Sequence, residues 1–150
     1  MIAFDTNILV YVEDQADQNG RRAHAFELVQ QLTTGGHCIP LQVFAEFLNV
    51  CAKKKFLPIE EAVDKITAYA AIFETPSTTA ADLMDAARIQ NRCNLQFFDA
   101  LILTVAARAG ATMLLSEDMV DGLEVEGVRI VNPFNPANDA VIAAALVQAG

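Results

Sequence analysis

The sequence predicts an α/β fold in which a parallel sheet has helices on both faces. Short apolar runs at residues 2–4, 112–115 and 128–131 have the length of buried strands, and longer helical patterns lie between them. Strands that alternate with helices form parallel sheets, because each strand returns to the same edge through a crossover. A length of 150 residues is enough for one sizeable core, so we expect residues 1–150 to form a single domain.

The first half of the chain is predicted to contain two strands and four helices. The predicted elements are a strand at 2–4, a short helix from about Asn7, helices at 21–33, 41–55 and 59–73, and a short strand at 37–39. Gly35 and Gly36 end the second helix. Glu60 and Glu61 suit the first turn of the fourth, where the helix dipole favours acids.

The second half adds three helices around the remaining strands. Thr79 and Asp82 have the spacing of a capping box, although Glu or Gln is usual at the second position, and this helix extends to about Arg92. Residues 98–109 are apolar nearly all round, which predicts a buried helix. An Ala-rich terminal helix is expected at residues 139–149.

The cysteines and the apolar runs indicate the cellular compartment that we expect for the protein. Cys38, Cys51 and Cys93 form no CxxC pair and are odd in number, which favours reduced thiols in a cytoplasmic protein. Asp5 interrupts the first apolar run and no basic segment precedes it, so no signal peptide is expected. The longest apolar run, residues 140–147, is far shorter than the roughly 20 residues of a membrane span, so no membrane contact is expected.

Four acids are candidates for a functional site. Asp5 and Asp118 each follow a predicted strand, and Asp99 stands at the start of the buried helix. Carboxyl ends of parallel strands meet at one edge of the sheet, so these three should converge. Crowded carboxylates raise each other's pKa or require a cation, and oxygen ligands suit Mg²⁺ or Mn²⁺. The fourth acid, Glu46, lies by periodicity on the solvent face of its helix, with Lys53.

A purely structural role is an alternative for each of the other three acids. Asp5 and Asp99 are both placed to cap a helix, and Asp118 lies in an acidic turn where exposure is ordinary. Other catalytic chemistry is disfavoured, since His24 and His37 have no metal-ligand spacing and the chain has no Gly-rich phosphate loop. A metal-activated water is then the best nucleophile available.

The motifs around these acids resemble the PIN-domain ribonucleases, and among them the VapC-type toxins of bacterial toxin–antitoxin pairs. The matching segments are Phe-Asp-Thr-Asn-Ile-Leu at 4–9, Glu46, Phe-Asp-Ala-Leu-Ile at 98–102, Leu-Leu-Ser-Glu-Asp at 114–118, and the closing run at 127–134. The resemblance implies a three-layer α/β/α fold with a central, mostly parallel sheet. It also implies endonucleolytic hydrolysis of RNA that depends on Mg²⁺ or Mn²⁺. Residues 134–150 extend beyond the pattern, and we expect this extension to be helical.

The resemblance also implies roles for particular residues. Asp5, Glu46, Asp99 and Asp118 would be the catalytic, metal-binding acids. Supporting hydrogen bonds would come from Thr6, Asn7 and Ser116, and we expect Thr6 and Asn7 rather than Asp5 to cap the first helix. Glu117 adds an acid to the last motif, and we favour Asp118 over it as the ligand. A cognate antitoxin and a homodimer are implied as partners.

Three other functions are weighed against this one. The chain would alternatively be a PIN-type RNA-processing nuclease without an antitoxin, or a non-catalytic PIN-like binding protein. A phosphatase of the dehalogenase type is disfavoured, since it needs a second Asp where Asn7 stands. The net charge of −9 opposes nucleic-acid binding unless cations offset it. Residues 53–55, three lysines, would either contact RNA phosphates or form a solvated helix end.

Overall fold

A computed structural model describes residues 1–17 and 19–149. Its strands are β1 (Ile2–Phe4), β2 (Met113–Leu115), β3 (Glu124–Val125) and β4 (Val128–Val131). Its helices are α1 (Thr6–Glu13), α2 (Arg21–Leu32), α3 (Leu41–Lys54), α4 (Ile59–Ile72), α5 (Ala80–Cys93), α6 (Phe97–Arg108) and α7 (Asp139–Ala149). The helices predicted from the sequence are all present, and their predicted ends differ from the observed ones by at most one residue.

The strands form one sheet in the order β1-β2-β4-β3. β1, β2 and β4 are parallel, and Phe4 pairs with Leu115, which pairs with Val131. The predicted α/β fold with a mostly parallel sheet is therefore confirmed. β3 was not predicted, because a two-residue strand carries no periodicity. It runs antiparallel to β4 through Glu126 and Gly127, which both have positive φ, as a tight hairpin requires.

The strand predicted at residues 37–39 is wrong in extent. Only Cys38 pairs, as an isolated parallel bridge to Ala3 on one side and to Glu74 on the other. Pro40 follows at once and has no N–H to donate, which prevents a longer ladder at this position. The bridge nevertheless extends the sheet edge beyond β1.

Helix α6 is the central helix of the core, as its apolar composition predicts. Residues Ala100 to Ala106 are all buried, and α6 packs on α5, α3 and β4. Phe98, near its start, is the exception at 55% exposed. The buried body of α6 holds its first turn, which carries Asp99, against the carboxyl edge of the sheet.

The capping box predicted at the start of α5 is present. The Thr79 hydroxyl accepts from the Asp82 N–H, and the Asp82 carboxylate accepts from the Thr79 N–H. The Arg108 guanidinium also donates two hydrogen bonds of 2.9 Å to Asp82. These bonds from Arg108, with those from Thr79, lower the pKa of Asp82 to about 2.

The segment after β4 is tied back to the loop that follows β2. The Asp121 carboxylate accepts hydrogen bonds from the Asn132 N–H and from the side chains of Asn135 and Asn138. A short 3-10 helix, Pro136–Asn138, then leads into α7, where Ile142 is buried.

The structure also bears on the state of the cysteines and on the presence of a membrane-spanning helix. All three cysteines are free thiols, and Cys38 and Cys51 are buried. Within residues 1–17 and 19–149, no helix combines the length and apolar character needed to cross a bilayer.

Candidate active site

Asp5 lies at the junction of β1 and α1 and is only 4% exposed. Its N–H continues the sheet ladder to the Leu115 carbonyl, and its carboxylate accepts from the Thr6 N–H at 2.6 Å and the Ser116 hydroxyl at 2.8 Å. Asp5 is also the N-cap of α1, so the expectation that Thr6 and Asn7 would take the cap role is wrong. One residue thus ends the strand, caps the helix and places a carboxylate at the sheet edge.

The surroundings of the Asp5 carboxylate disfavour its charged form. Its pKa is raised from 3.8 to about 7, mainly by burial and to a smaller extent by the charges of Asp99 and Glu46, against the lowering effect of its hydrogen bonds from Ser116 and Thr6. A buried carboxyl at this position gains from any nearby positive charge.

Glu46 faces the interior of the site. Its carboxylate accepts from the Thr6 hydroxyl and from Gln42, each at 3.2 Å. The interpretation of Glu46 as a solvent-facing residue is therefore wrong. Periodicity misplaced it because helix α3 packs on α1, which brings the Thr6 hydroxyl to Glu46.

Asp99 is the third residue of α6, and the N-cap of that helix is Gln96, so the capping alternative for Asp99 is wrong. The pKa of Asp99 is raised to about 6, first by burial and then by the charges of Glu46 and Asp118. The described residues offer its carboxylate no hydrogen-bond donor.

Asp118 is exposed, and Asn7 donates a side-chain hydrogen bond to it. The buried Ser116, which bonds to Asp5, also accepts from the Met119 N–H at 3.3 Å. Asn7 and Ser116 therefore connect the start of α1 to the loop after β2. The structure brings Asp118 close enough to Asp99 for their charges to interact.

Glu117 makes a different set of contacts from Asp118. It forms an ion pair with Arg21 and accepts from the Tyr11 hydroxyl at 2.5 Å. Tyr11 in turn accepts from Arg21 at 3.0 Å. Because its charge is already compensated by Arg21, Glu117 is the weaker candidate for the fourth acid. The contact of Arg21 and Tyr11 with Glu117 was not predicted from the sequence, since nothing in their spacing points to it.

The donor set matches the chemistry of a hard divalent cation. All four acids offer carboxylate oxygens, and within the described residues none of them is paired with Lys, Arg or His. No group of three or more Asp, Glu, His or Cys in the described part of the chain is arranged as a metal cage. Neutral donors hold three of the acids instead: Ser116 holds Asp5, Thr6 and Gln42 hold Glu46, and Asn7 holds Asp118.

The PIN domain family model matches residues 2–120, and the chain belongs to that family. The match ends just before Asp121 and leaves the extension outside it. Comparison with curated proteins found no match.

Three solved structures share the fold at low sequence identity. A toxin–antitoxin complex from Klebsiella pneumoniae aligns with a TM-score of 0.65 and 19% identity, over 89% of this chain and 98% of that one. VapBC2 from Rickettsia felis, bound to promoter DNA, gives 0.64 and 18%, over 88% and 98%. VapC20 from Mycobacterium tuberculosis, a toxin that cleaves the sarcin–ricin loop, gives 0.66 and 17%, over 79% and 90%.

Proposed function

We propose that this PIN-domain protein is a divalent-metal-dependent endoribonuclease that acts as the toxin of a toxin–antitoxin pair. The observation that supports it best is the pair Asp5 and Asp99. Both carboxyls lie at the carboxyl edge of a parallel sheet, both have raised pKa values, and neither has a cationic partner among the described residues. Open α/β sheets place their active sites at this edge, and family membership supports nuclease chemistry.

The proposed metal ligands are Asp5, Asp99 and Asp118, with Glu46 binding directly or through water. A bound Mg²⁺ or Mn²⁺ would supply a water of lowered pKa and stabilise charge on the scissile phosphate. The protein's own groups orient the ligands: Ser116 fixes Asp5, and Thr6 fixes Glu46. These neutral donors hold the carboxylates without neutralising them, which preserves their affinity for a cation.

RNA would approach this acidic site against a net charge of −9. Bound divalent ions reduce the repulsion locally. Lys53 lies two turns along α3 from Glu46, and residues 53–55 are all exposed, so these lysines are available to contact RNA phosphates.

The proposed partners follow from the structures of similar fold. Two of them are complexes from toxin–antitoxin systems. We propose that a cognate antitoxin covers the acidic site, for which a basic side chain would be complementary. A homodimer, a cytoplasmic location and a single domain over residues 1–150 belong to the same proposal.

Incubation with a mixed RNA pool tests the activity. We expect cleavage in Mn²⁺ or Mg²⁺, loss of cleavage in EDTA, and loss in the Asp5→Asn protein at every metal concentration. Asp85→Asn, which removes an acid that is 57% exposed on α5, is the matched control and should cleave normally. Full activity in Asp5→Asn would refute the proposed site.

Partner capture separates the toxin proposal from a nuclease that works alone. If a small gene beside this one encodes the antitoxin, co-expression of the two should give a complex in which cleavage is blocked. A protein that cleaves RNA but is inhibited by no such partner would be a PIN-type processing nuclease. A protein that binds RNA and metal but never cleaves would be a binding protein.

A further inference from the structure

Next to the proposed site, an arginine is held between two aromatic rings and an acid. We call this group the Arg21 clamp, formed by Tyr11, Arg21, Glu117 and Phe134. Tyr11 belongs to α1, Arg21 opens α2, Glu117 follows β2, and Phe134 lies in the extension beyond β4. The clamp thus joins four separate segments at the residue next to Asp118.

The side chains of the clamp contact one another. The Arg21 guanidinium carbon lies 5.5 Å from the Tyr11 ring centroid and 5.2 Å from that of Phe134. The two rings meet edge to face, with centroids 5.2 Å apart. Glu117 forms an ion pair with Arg21 and accepts a hydrogen bond from the Tyr11 hydroxyl, so two neighbouring side chains fix its carboxylate.

This group differs from an ordinary surface ion pair. An isolated exposed pair contributes little, because water and salt screen it and its side chains stay mobile. The Glu117 side chain is only 16% exposed and that of Arg21 33% exposed. The Arg21 guanidinium also lies over two aromatic rings, which adds cation–π attraction. The Tyr11 hydroxyl bonds to both Arg21 and Glu117, which helps to fix the orientation of the pair. By contrast, Arg88 and Asp85 form an isolated pair that is 72% and 57% exposed.

A second anchor lies on the other side of Asp118. Asp121 accepts hydrogen bonds from three asparagines, Asn132, Asn135 and Asn138. The segment 117–121 is therefore held at one end by Arg21 and Tyr11, and at the other end by asparagines of the turn after β4 and of the extension. Asp118 itself lies between these anchors, exposed, and has only Asn7 as a hydrogen-bond donor among the described residues.

We propose that the Arg21 clamp is a positioning device for Asp118, in which Glu117 is the anchored residue and not a member of the acidic site. The proposal rests on the function proposed above for Asp118. Fixing Glu117 against α1 and α2 fixes the backbone direction of the next residue, so the Asp118 carboxylate is presented toward Asp99. Phe134 makes the extension part of this support, although it lies outside the residues that match the family.

Metal binding and kinetics together test the clamp. The variants are Glu117→Gln, Arg21→Gln and Arg21→Lys, with Asp118→Asn as the ligand comparison and Arg88→Gln as the control. Mn²⁺ affinity is measured by calorimetry on RNA-free protein, and kcat and KM are measured on RNA. Thermal unfolding shows that each variant is folded.

Groups that orient metal ligands typically contribute about 10-fold or more to affinity or activity. We expect Glu117→Gln and Arg21→Gln each to weaken Mn²⁺ binding and lower kcat by about 10-fold, with KM for RNA nearly unchanged. The Arg21→Gln/Glu117→Gln double variant should be no worse than either single variant, since both substitutions remove the same ion pair. Arg21→Lys should recover part of kcat, Asp118→Asn should lose far more, and Arg88→Gln should match wild type.

Other outcomes overturn the clamp. If Glu117→Gln loses Mn²⁺ as completely as Asp118→Asn, Glu117 is a ligand. If Arg21→Gln raises KM and keeps kcat, Arg21 contacts RNA. If no clamp variant differs from wild type while Asp5→Asn is inactive, the clamp is inert and the proposed function stands. A wild-type protein that neither binds Mn²⁺ nor cleaves RNA refutes both.

Discussion

Asp5→Asn should stabilise the metal-free protein while it abolishes the proposed activity. The substitution keeps the shape of the side chain, and the amide can still accept from the Thr6 N–H and hydrogen-bond to Ser116. It removes a charge that is nearly fully buried beside two other acids. Sites built for charged chemistry commonly reduce the stability of the fold in this way.

The magnitude follows from the pKa of Asp5. A rise from 3.8 to about 7 corresponds to about 4 kcal/mol at 1.36 kcal/mol per pH unit, which is an upper limit. Because the folded-state pKa is raised, the protonated carboxyl favours folding at low pH, and that contribution is lost as pH rises through about 7. The advantage of Asp5→Asn should therefore grow from pH 4 to about 7 and then level off. With less favourable hydrogen bonding by the amide, we expect roughly 2 kcal/mol at pH 8.

Urea unfolding at a series of pH values in EDTA measures this advantage. Adding Mn²⁺ should reverse the order of stability at pH 8, since a ligand that binds only the folded state stabilises it, and Asp5→Asn has lost a ligand. Asp85→Asn should show neither effect. An Asp5→Asn protein that is less stable than wild type at pH 8 in EDTA would refute the electrostatic reasoning.

Two further predictions concern stability and substrate binding. Asp82→Ala removes the α5 capping box and the partner of Arg108, and should lower the free energy of unfolding by about 2 kcal/mol in urea titrations, whereas Asp85→Ala should change it by less than about 0.5 kcal/mol. An Asp82→Ala protein as stable as wild type would contradict the role of the box. Replacing residues 53–55 with alanine in the inactive Asp5→Asn protein should weaken RNA binding and reduce the slope of log affinity against log salt by about 2. An unchanged slope would remove these lysines from the RNA interface.

The sequence predicted the elements whose signals are local. Apolar runs marked β1, β2 and β4, the all-round apolar pattern marked α6 as buried, and Thr79 with Asp82 marked the start of α5. The ends of parallel strands also allowed Asp5 and Asp118 to be placed at one sheet edge. These inferences succeeded because the information lies within a few residues of chain.

Only the tertiary structure decided which way several side chains face. Periodicity assigned Glu46 to solvent, yet Thr6, 40 residues away in sequence, donates to it. Glu117 and Asp118 are adjacent and chemically similar, and they separate only because Arg21 is folded against one and Asn7 against the other. Contacts between distant segments leave no local pattern, since hydrogen bonds and ion pairs at a site depend on how the helices pack and not on the spacing of their residues.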